Sequence, residues 1–225
     1  MATRDFILEI GCEELPSAPL NKAIVQFKKL FSDGLDDQGL SHGEVVVLSS
    51  PRRLTVVAKD VAEATEEVHQ IMRGPAAAIA FDAEGNPTKA AQGFARGRGL
   101  SADELIVKAD KDGKEYVFAE VFVAARDAKE ILVALAEKTI GDISWPRSQR
   151  WGTNSAKFVR PIRWICCLFG TEPLSVSYAD VVSGTTTQGH RVLAPGAHEV
   201  ADAASYVSTC EMPMSCFKTS AARLF

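Results

Sequence analysis

Nine of the thirteen arginines in this sequence lie in short clusters that glycine or proline interrupts. They are Arg52, Arg53, Arg73, Arg96, Arg98, Arg150, Arg160, Arg163 and Arg191. A guanidinium group suits bidentate contact with phosphate or carboxylate and stacking on flat rings, while glycine and proline fix the backbone at turns. The pattern indicates rigid loops that present cations to an anionic partner. The alternative is that these turn-flanking arginines cap helix ends and pair with surface carboxylates.

Three further patterns offer candidate chemistry. Glu13 and Glu14 form a carboxylate pair that could act in acid/base catalysis or bind Mg²⁺, but glutamates also favour the N-terminus of a helix, which is predicted to follow. His190 is the best candidate for a functional histidine, although a turn histidine bonded to the backbone fits its position equally well. Cys166 and Cys167 lie in an apolar run and are predicted to be core residues rather than nucleophiles.

Common motifs of nucleotide-binding and hydrolytic enzymes are missing from the sequence. It has no Walker loop, no Gly-x-Gly-x-x-Gly after a strand and no Gly-x-Ser-x-Gly elbow. Its histidines and cysteines do not have the spacing of a zinc site. We therefore predict no catalytic residue and no metal site in this chain.

Charge is distributed unevenly along the chain. The 225 residues have a net charge of −4, which gives no general attraction for nucleic acid. Residues 141–195, however, carry six Lys or Arg against three Asp or Glu, and they contain Trp145, Trp151 and Trp164, the only tryptophans. Cations beside aromatic rings are typical of surfaces that bind phosphates and stack bases. Core packing is the alternative for the tryptophans, above all for Trp164, which lies in an apolar strand.

Cysteine usage and the N-terminus indicate the compartment. The five cysteines are odd in number and form no Cys-x-x-Cys, which indicates neither a disulfide framework nor a zinc site. The N-terminus lacks the apolar region and cleavage site of a signal peptide, and no apolar run approaches the ~18 residues of a membrane span. We expect a cytoplasmic protein with reduced thiols.

The elements that must position these residues alternate between helix and strand. Apolar residues at spacings of three and four predict amphipathic helices from about 16 to 38 and from 127 to 140, with a short basic helix at 88–96. Ser101 and Glu104 fit a capping box. Strands are predicted at 6–10, 45–48, 54–58, 116–123, 162–169 and 174–178. Since most links between strands are too short for crossover helices, we predict an α+β fold with mainly antiparallel sheets and packed amphipathic helices.

The sequence suggests three regions. Residues 1–140 form an N-terminal α+β region, and residues 141–210 form a Trp- and Arg-rich β segment that packs on the first region or starts a second domain. Residues 211–225 are anomalous, because Pro213 stops helix continuation and two cysteines and two methionines crowd between 210 and 216. One hypothesis is that a shift of reading frame near Glu211 produced this tail.

Seven motifs in order carry a resemblance to a known family. They are EIGCEELP at 9–16, PRRL at 51–54, RGP at 73–75, FDAEGNPTKAAQGFARG at 81–97, RWG at 150–152, FVRP at 158–161 and GHR at 189–191. Together they closely resemble the N-terminal part of the β subunit of bacterial glycyl-tRNA synthetase, the α2β2 type. The resemblance runs from about residue 5 to residue 208.

The resemblance implies a division of labour between subunits. In this family the α subunit makes glycyl-adenylate from glycine and ATP with Mg²⁺, and the β subunit is required for charging and supplies most tRNA contacts. Partners would be tRNA(Gly), the α subunit and the rest of the β subunit, including a distal helical domain that reads the anticodon end. This fragment alone is expected to be inactive and to bind no cofactor.

The resemblance also gives the basic residues a ligand, the phosphates and unpaired bases of tRNA. The residues expected to contact RNA are Arg150, Trp151, Arg160, Arg163, His190, Arg191, Lys89, Arg96 and Arg98. For Arg52, Arg53 and Arg73, turn stabilisation or contacts to other domains explain the pattern equally well, and Glu13 and Glu14 also have no settled role.

Three functional classes remain open from the sequence. The first is an RNA-binding module, the second is an assembly module that holds the α subunit or the rest of the β subunit, and the third is a hydrolytic editing domain. An assembly module should show an exposed apolar patch rather than a basic one. Editing is disfavoured because larger competitors of glycine can be excluded sterically.

Overall fold

The structure is a computed structural model that describes residues 2–82, 84–110, 113–153, 155–192 and 194–211. The described strands are β1 (Thr3–Cys12), β2 (Val45–Ser50), β3 (Arg53–Ala62), β4 (Val68–Ala76), β5 (Ile106–Ala109), β6 (Glu115–Val123), β7 (Ile162–Phe169), β8 (Glu172–Pro173), β9 (Ser177–Tyr178), β10 (Val181–Val182), β11 (Thr186–Gln188) and β12 (Ala197–Glu199). The helices are α1 (Ser17–Asp37), α2 (Ala77–Ala80), α3 (Lys89–Arg96), α4 (Ala128–Asp142) and α5 (Tyr206–Glu211), with a 3₁₀ turn at Ala102–Glu104.

The chain divides into two compact units. Unit 1 contains the described residues before Glu66 and from Arg126 onward, and unit 2 is Glu66–Ala125. Unit 2 is therefore an insertion in unit 1. The boundary that the sequence suggested after residue 140 falls inside unit 1, because β7 pairs with β1 in one sheet. The predicted tail lies, apart from Glu211, outside the described residues.

Unit 1 is built on an antiparallel five-stranded sheet in the order β2-β3-β1-β7-β8. The central strand β1 is buried on both faces, so its apolar residues alternate between two layers. Phe6, Leu8 and Ile10 face the cluster that contains α1 and α4, whereas Ile7 lies in a second cluster with Tyr206 of α5. Glu9 points to this second face, where a carboxylate needs partners.

Helices α1 and α4 cover the first face of the sheet. Apolar positions three and four residues apart put Phe27, Phe31 and Leu35 of α1 in the core, as the sequence predicted. The two helices approach closely at Gly34, where a Cβ would lie 2.2 Å from Cδ1 of Leu135. None of the described helices is long and apolar enough to cross a membrane.

Unit 2 has two layers, a three-stranded antiparallel sheet in the order β4-β6-β5 and the short helices α2 and α3. Val117 and Ala119 on one face of β6 pack with Ala80, Ala91 and Leu105 into a separate core. The opposite face carries Phe118 and Phe122, and the Phe122 side chain is exposed. Unit 2 therefore has its own core and an open sheet face.

Most predicted elements are confirmed, and so is the α+β class with antiparallel sheets. The capping box of Ser101 and Glu104 is present, although it begins a 3₁₀ turn instead of an α-helix. The strand predicted at 174–178 is wrong over most of its length, since only Ser177 and Tyr178 are in β9. Strands β4 and β5 were not predicted.

Candidate anion-binding site

A buried carboxylate, that of Glu9, positions the side chains around it. Glu9 is fully buried on β1. Its Oε1 accepts hydrogen bonds from the indole Nε1 of Trp164 at 2.7 Å and the hydroxyl of Thr187 at 2.8 Å, and its Oε2 accepts one from the hydroxyl of Tyr206 at 2.8 Å. Three donors satisfy a group that would otherwise be costly to bury. Glu9 therefore fixes the orientation of the Trp164 ring.

Arg53 completes this buried network. Its Nη1 lies 3.5 Å from Oε1 of Glu9 and donates to Thr187 at 3.0 Å, and its Nη2 donates to the carbonyl of Gln188. Only 3% of Arg53 is exposed. A cation in this position balances the buried carboxylate. Arg53 is thus a structural residue of unit 1, and its guanidinium is occupied inside the protein.

Trp164 forms the floor of a pocket because the residue beside it on β1 is a glycine and has no side chain. Gly11 is its partner across β1 and β7, and a Cβ on Gly11 would lie 1.9 Å from the indole ring. Only glycine allows this approach. The guanidinium of Arg52 lies over the same ring, 5.5 Å from its centroid. The sequence pattern raised the possibility of stacking at Trp164, but the ring is buried and holds Arg52.

Glu13 joins two arginines from distant parts of the chain. Its Oε1 accepts from Nε of Arg163 at 2.7 Å, and its Oε2 accepts from Nη2 of Arg191 at 2.7 Å. The hydrogen bond from Arg163, together with that from Arg191, holds the pKa of Glu13 below its usual value. Glu13 thus pairs with arginines, and α1 has no acidic residue in its first turn. Glu14 is exposed.

A tight loop presents Arg191. The backbone N–H of Gly189 donates to the carbonyl of Gly196 at 2.8 Å, which closes the loop. A Cβ on Gly189 would lie 1.8 Å from the carbonyl oxygen of Ala194, so this position requires glycine. Within the loop, Nδ1 of His190 accepts from the N–H of Val192 at 3.2 Å. His190 therefore has the backbone contact of a turn histidine.

Arg52, Arg163, Trp164 and Arg191 line a pocket of about 350 Å³. Burial, and after it the charge of Arg191, lower the pKa of Arg52. The Nε of Arg52 is buried and has no hydrogen-bond partner within the described part of the chain. A pocket with three guanidinium groups and one nearby carboxylate carries excess positive charge. Its chemistry suits an anion with several acceptor oxygens.

Other predicted RNA-binding residues lie elsewhere in unit 1. Arg150 and Arg160 are exposed, and Arg160 donates to the carbonyl of Val159 at 2.9 Å. Arg160 is not among the residues that line the pocket. Trp151 is half-buried against the core and donates to Asp180 at 3.2 Å, a contact that fits the packing alternative.

The basic residues of unit 2 do not belong to this pocket. Lys89 and Arg96 are exposed on α3, and Arg98 stacks on Phe94 with its guanidinium 3.9 Å from the ring centroid. Arg73 pairs with Asp110 and lies over the ring of Tyr116. These contacts stabilise unit 2 locally. The sequence clusters therefore separate into two groups in the fold.

The described cysteines are core residues, as predicted for Cys166 and Cys167. Burial raises the pKa of Cys12 to about 12 and raises those of Cys166 and Cys167 as well. These thiols are protonated at neutral pH and are poor nucleophiles. Across the described ranges, no three His, Cys, Asp or Glu side chains come together in a way that could hold a metal ion.

The sequence did not predict the Glu9 network. Its signal was a single glutamate inside an otherwise apolar strand, a pattern that indicates a buried and satisfied carboxylate. Its partners Thr187 and Tyr206 could not be found from the sequence, because they are 178 and 197 residues away.

Comparison with known proteins gives the family. A family model described as the glycyl-tRNA synthetase beta subunit matches residues 6–220. The chain belongs to this family. Similar members are the glycine–tRNA ligase beta subunits of Bacillus subtilis (strain 168), 42% identical over 200 residues, and Halothermothrix orenii, 40% identical over 208 residues. These alignments cover 89% and 92% of this chain.

The chain is short beside its relatives in the glycyl-tRNA synthetase beta subunit family. It spans 29% of the length of the Bacillus subtilis subunit and 30% of that from Geobacter sp. (strain M21), to which it is 38% identical over 208 residues. The family match includes every lining residue of the pocket described above, from Arg52 to Gly196.

Proposed function

We propose that this chain forms part of the tRNA-binding surface of the β subunit in a glycyl-tRNA synthetase of the α2β2 type. The observation that carries the proposal is the convergence of Arg52, Arg163 and Arg191 at one pocket. In the holoenzyme, glycine would be attached to tRNA(Gly) with ATP and Mg²⁺, and the adenylate chemistry would lie on the α subunit. The residues of this chain would bind and orient RNA and would hold no cofactor.

The chemistry of the pocket fits an RNA backbone better than a protein carboxylate. Three guanidinium groups supply many fixed donors, whereas a single carboxylate such as Glu13 offers two oxygens. Phosphates along a strand offer a series of acceptors, and the exposed Arg150 and Arg160 would extend the contact beyond the pocket. Backbone contacts of this kind supply affinity and register rather than sequence recognition.

The test is binding of tRNA(Gly) to the 225-residue chain across a salt series, with wild type compared to the Arg163→Ala/Arg191→Ala variant. We expect the log–log salt slope to become shallower by roughly 0.7–0.9 for each phosphate contact removed. Lys138→Ala on α4 is the matched control, because Lys138 is exposed and pairs only with Asp142 at 2.5 Å among the described residues. Its slope should equal that of the wild type.

A second candidate is an assembly role, with contacts to the α subunit or to the rest of the β subunit. It is supported by the open sheet face of unit 2, where Ile71 and Phe122 are 54% and 62% exposed. Absence of tRNA binding to the wild-type chain at low salt would favour this role over the first. An editing role has no support from the described thiols, because burial keeps them protonated.

A further inference from the structure

Glu13 holds its two arginines as a bound anion would. Each carboxylate oxygen accepts one bond at 2.7 Å, from Nε of Arg163 and from Nη2 of Arg191. Guanidinium groups arranged in this way also bind phosphate. The side chain of Glu13 is 30% exposed, so solvent can reach it. Glu13 therefore occupies guanidinium donors of two arginines that line the pocket, at a position that solvent reaches.

Glu13 does not pair with every arginine of the pocket, since Arg52 lies outside its hydrogen bonds. The stack on Trp164 holds the guanidinium of Arg52 in place, and its buried Nε has no acceptor among the residues that the structure describes. Burying a donor without an acceptor costs free energy unless a ligand supplies one. Arg52 thus lines the pocket without an ion-pair partner among the described residues, beside two arginines that one carboxylate occupies.

We infer that this pocket binds a phosphate group and that Glu13 is its internal competitor, which occupies Arg163 and Arg191 until phosphate displaces it. The inference rests on the proposed function in taking that phosphate to come from tRNA. When phosphate enters, Arg163 and Arg191 exchange the carboxylate for phosphate oxygens, Arg52 gains an acceptor, and Glu13 turns to solvent. Anions that bind arginine less tightly than phosphate does cannot displace the Glu13 carboxylate. Glu13 therefore makes the pocket selective for phosphate.

The experiment uses the 225-residue chain with Glu13→Gln and, as the matched control, Glu14→Gln. Inorganic phosphate is titrated into each protein, and the arginine Nε–H signals of Arg52, Arg163 and Arg191 are followed by NMR. Glu13→Gln should bind phosphate roughly three- to tenfold more tightly than wild type, because no charged side chain has to be displaced. Glu14→Gln should match wild type, since Glu14 is exposed and lies outside the pocket.

Three further measurements make the result decisive. Thermal unfolding checks that each variant is folded, and Glu13→Asp, which keeps the charge but is too short to bridge both arginines, should show an intermediate affinity. Arg52→Ala should weaken phosphate binding in both the wild-type and the Glu13→Gln background. Equal or weaker phosphate binding by folded Glu13→Gln overturns the inference, because a purely structural ion pair would give that result.

Titration with tRNA(Gly) separates this inference from the proposed function. If Glu13→Gln binds phosphate more tightly while none of the proteins binds tRNA, the pocket is a phosphate site and the tRNA role is wrong. If tRNA binds with the expected salt slope but Glu13→Gln gives no gain for either ligand, the tRNA role stands and the competitor role of Glu13 is wrong.

Discussion

Glu9 and Glu13 are four residues apart, yet they hold arginine in opposite ways. Glu9 is fully buried, and its partners form a fixed network around Arg53. Glu13 lies at the edge of a pocket, and its partners Arg163 and Arg191 are mostly exposed. The first pair stabilises the fold, whereas the second can be exchanged for a ligand. Burial therefore decides which of these carboxylates has a functional role.

Residue type was predictable from the sequence, but residue role was not. The clusters indicated loops that present cations, but they could not show which clusters come together, and it is the fold that brings Arg163 and Arg191 to one carboxylate. Arg52 and Arg53 are adjacent, and only the pairing of β3 with β1 places one at the pocket and the other inside the core. That register depends on contacts between distant segments, which the local pattern does not contain.

Cys12 gives a prediction for the pH dependence of stability. Burial raises its pKa to about 12 in the folded state, above the unfolded value of about 9. As the pH rises, the Cys12 thiol loses its proton first in the unfolded chain. The contribution of the protonated thiol to stability is therefore complete below pH 9 and declines as the pH rises toward 12. From pH 9 to pH 11, the free energy of unfolding should fall in both proteins. The fall should be smaller by about 2 kcal/mol in Cys12→Ala than in wild type. Urea unfolding at each pH measures the difference, and parallel pH profiles would contradict it.

At the scale of elements, long periodic segments were predicted well. Helices α1 and α4 have apolar faces that the pattern of threes and fours identifies directly. Strand β4 was missed because most of its side chains are exposed on both faces, which leaves no apolar alternation to detect. Its strand character comes from the hydrogen-bonded pairing with β6, and a neighbour distant in sequence cannot be read from β4 alone.

The strand predicted at 174–178 fails for a specific reason. The hydroxyl of Ser183 donates to the carbonyl of Leu174 at 2.6 Å and accepts from the N–H of Val176 at 2.8 Å. The same N–H also donates to the carbonyl of Leu174. These bonds bend the backbone and use groups that a strand would give to a neighbour. Apolar residues here are buried, but not as a strand.

Helix α4 depends on its N-terminal cap. The Asp127 carboxylate accepts from the backbone N–H of Lys129 at 2.8 Å. Asp127→Ala removes this acceptor and should lower the free energy of unfolding by about 1 kcal/mol. Asp142→Ala, at the other end of α4, is the control and should change stability by less than about 0.5 kcal/mol, because its pair with Lys138 is exposed. Denaturant midpoints measure both, and equal effects would show that the cap contributes no more than the exposed ion pair of Asp142.

At the scale of the whole molecule, the two-unit arrangement was not predictable from composition. Unit 2 leaves and re-enters unit 1 at neighbouring residues, since the N–H of Thr65 donates to the carbonyl of Arg126 at 3.0 Å. Composition changes near residue 140, but β7 joins the sheet of β1 across that point. The division into two units depends on pairing between segments about 150 residues apart. Local patterns in one sequence contain no information about such pairing.

Unit 1 should fold without unit 2. Its two buried clusters contain no residue of Glu66–Ala125, and the ends of the insertion are already hydrogen bonded. Replacing residues 66–125 with a short Gly/Ser linker should leave a cooperatively folded protein that keeps the phosphate affinity of the full chain. Thermal unfolding and the phosphate titration test this. Loss of a cooperative transition would mean that unit 2 is required for the fold.

The central position of β1 also sets the order in which the chain can fold. The Glu9 carboxylate obtains its buried hydrogen-bond donors from Trp164, Thr187 and Tyr206, which a ribosome adds 155 to 197 residues later. At about 5–20 residues per second, the first strand waits roughly 10–40 s for them. Such a high contact order predicts slow closure, with the inserted unit folding earlier on the nascent chain. During this time β1 exposes apolar residues and a carboxylate that has no hydrogen-bond donors. We expect a chaperone to bind this segment of the nascent chain during that interval.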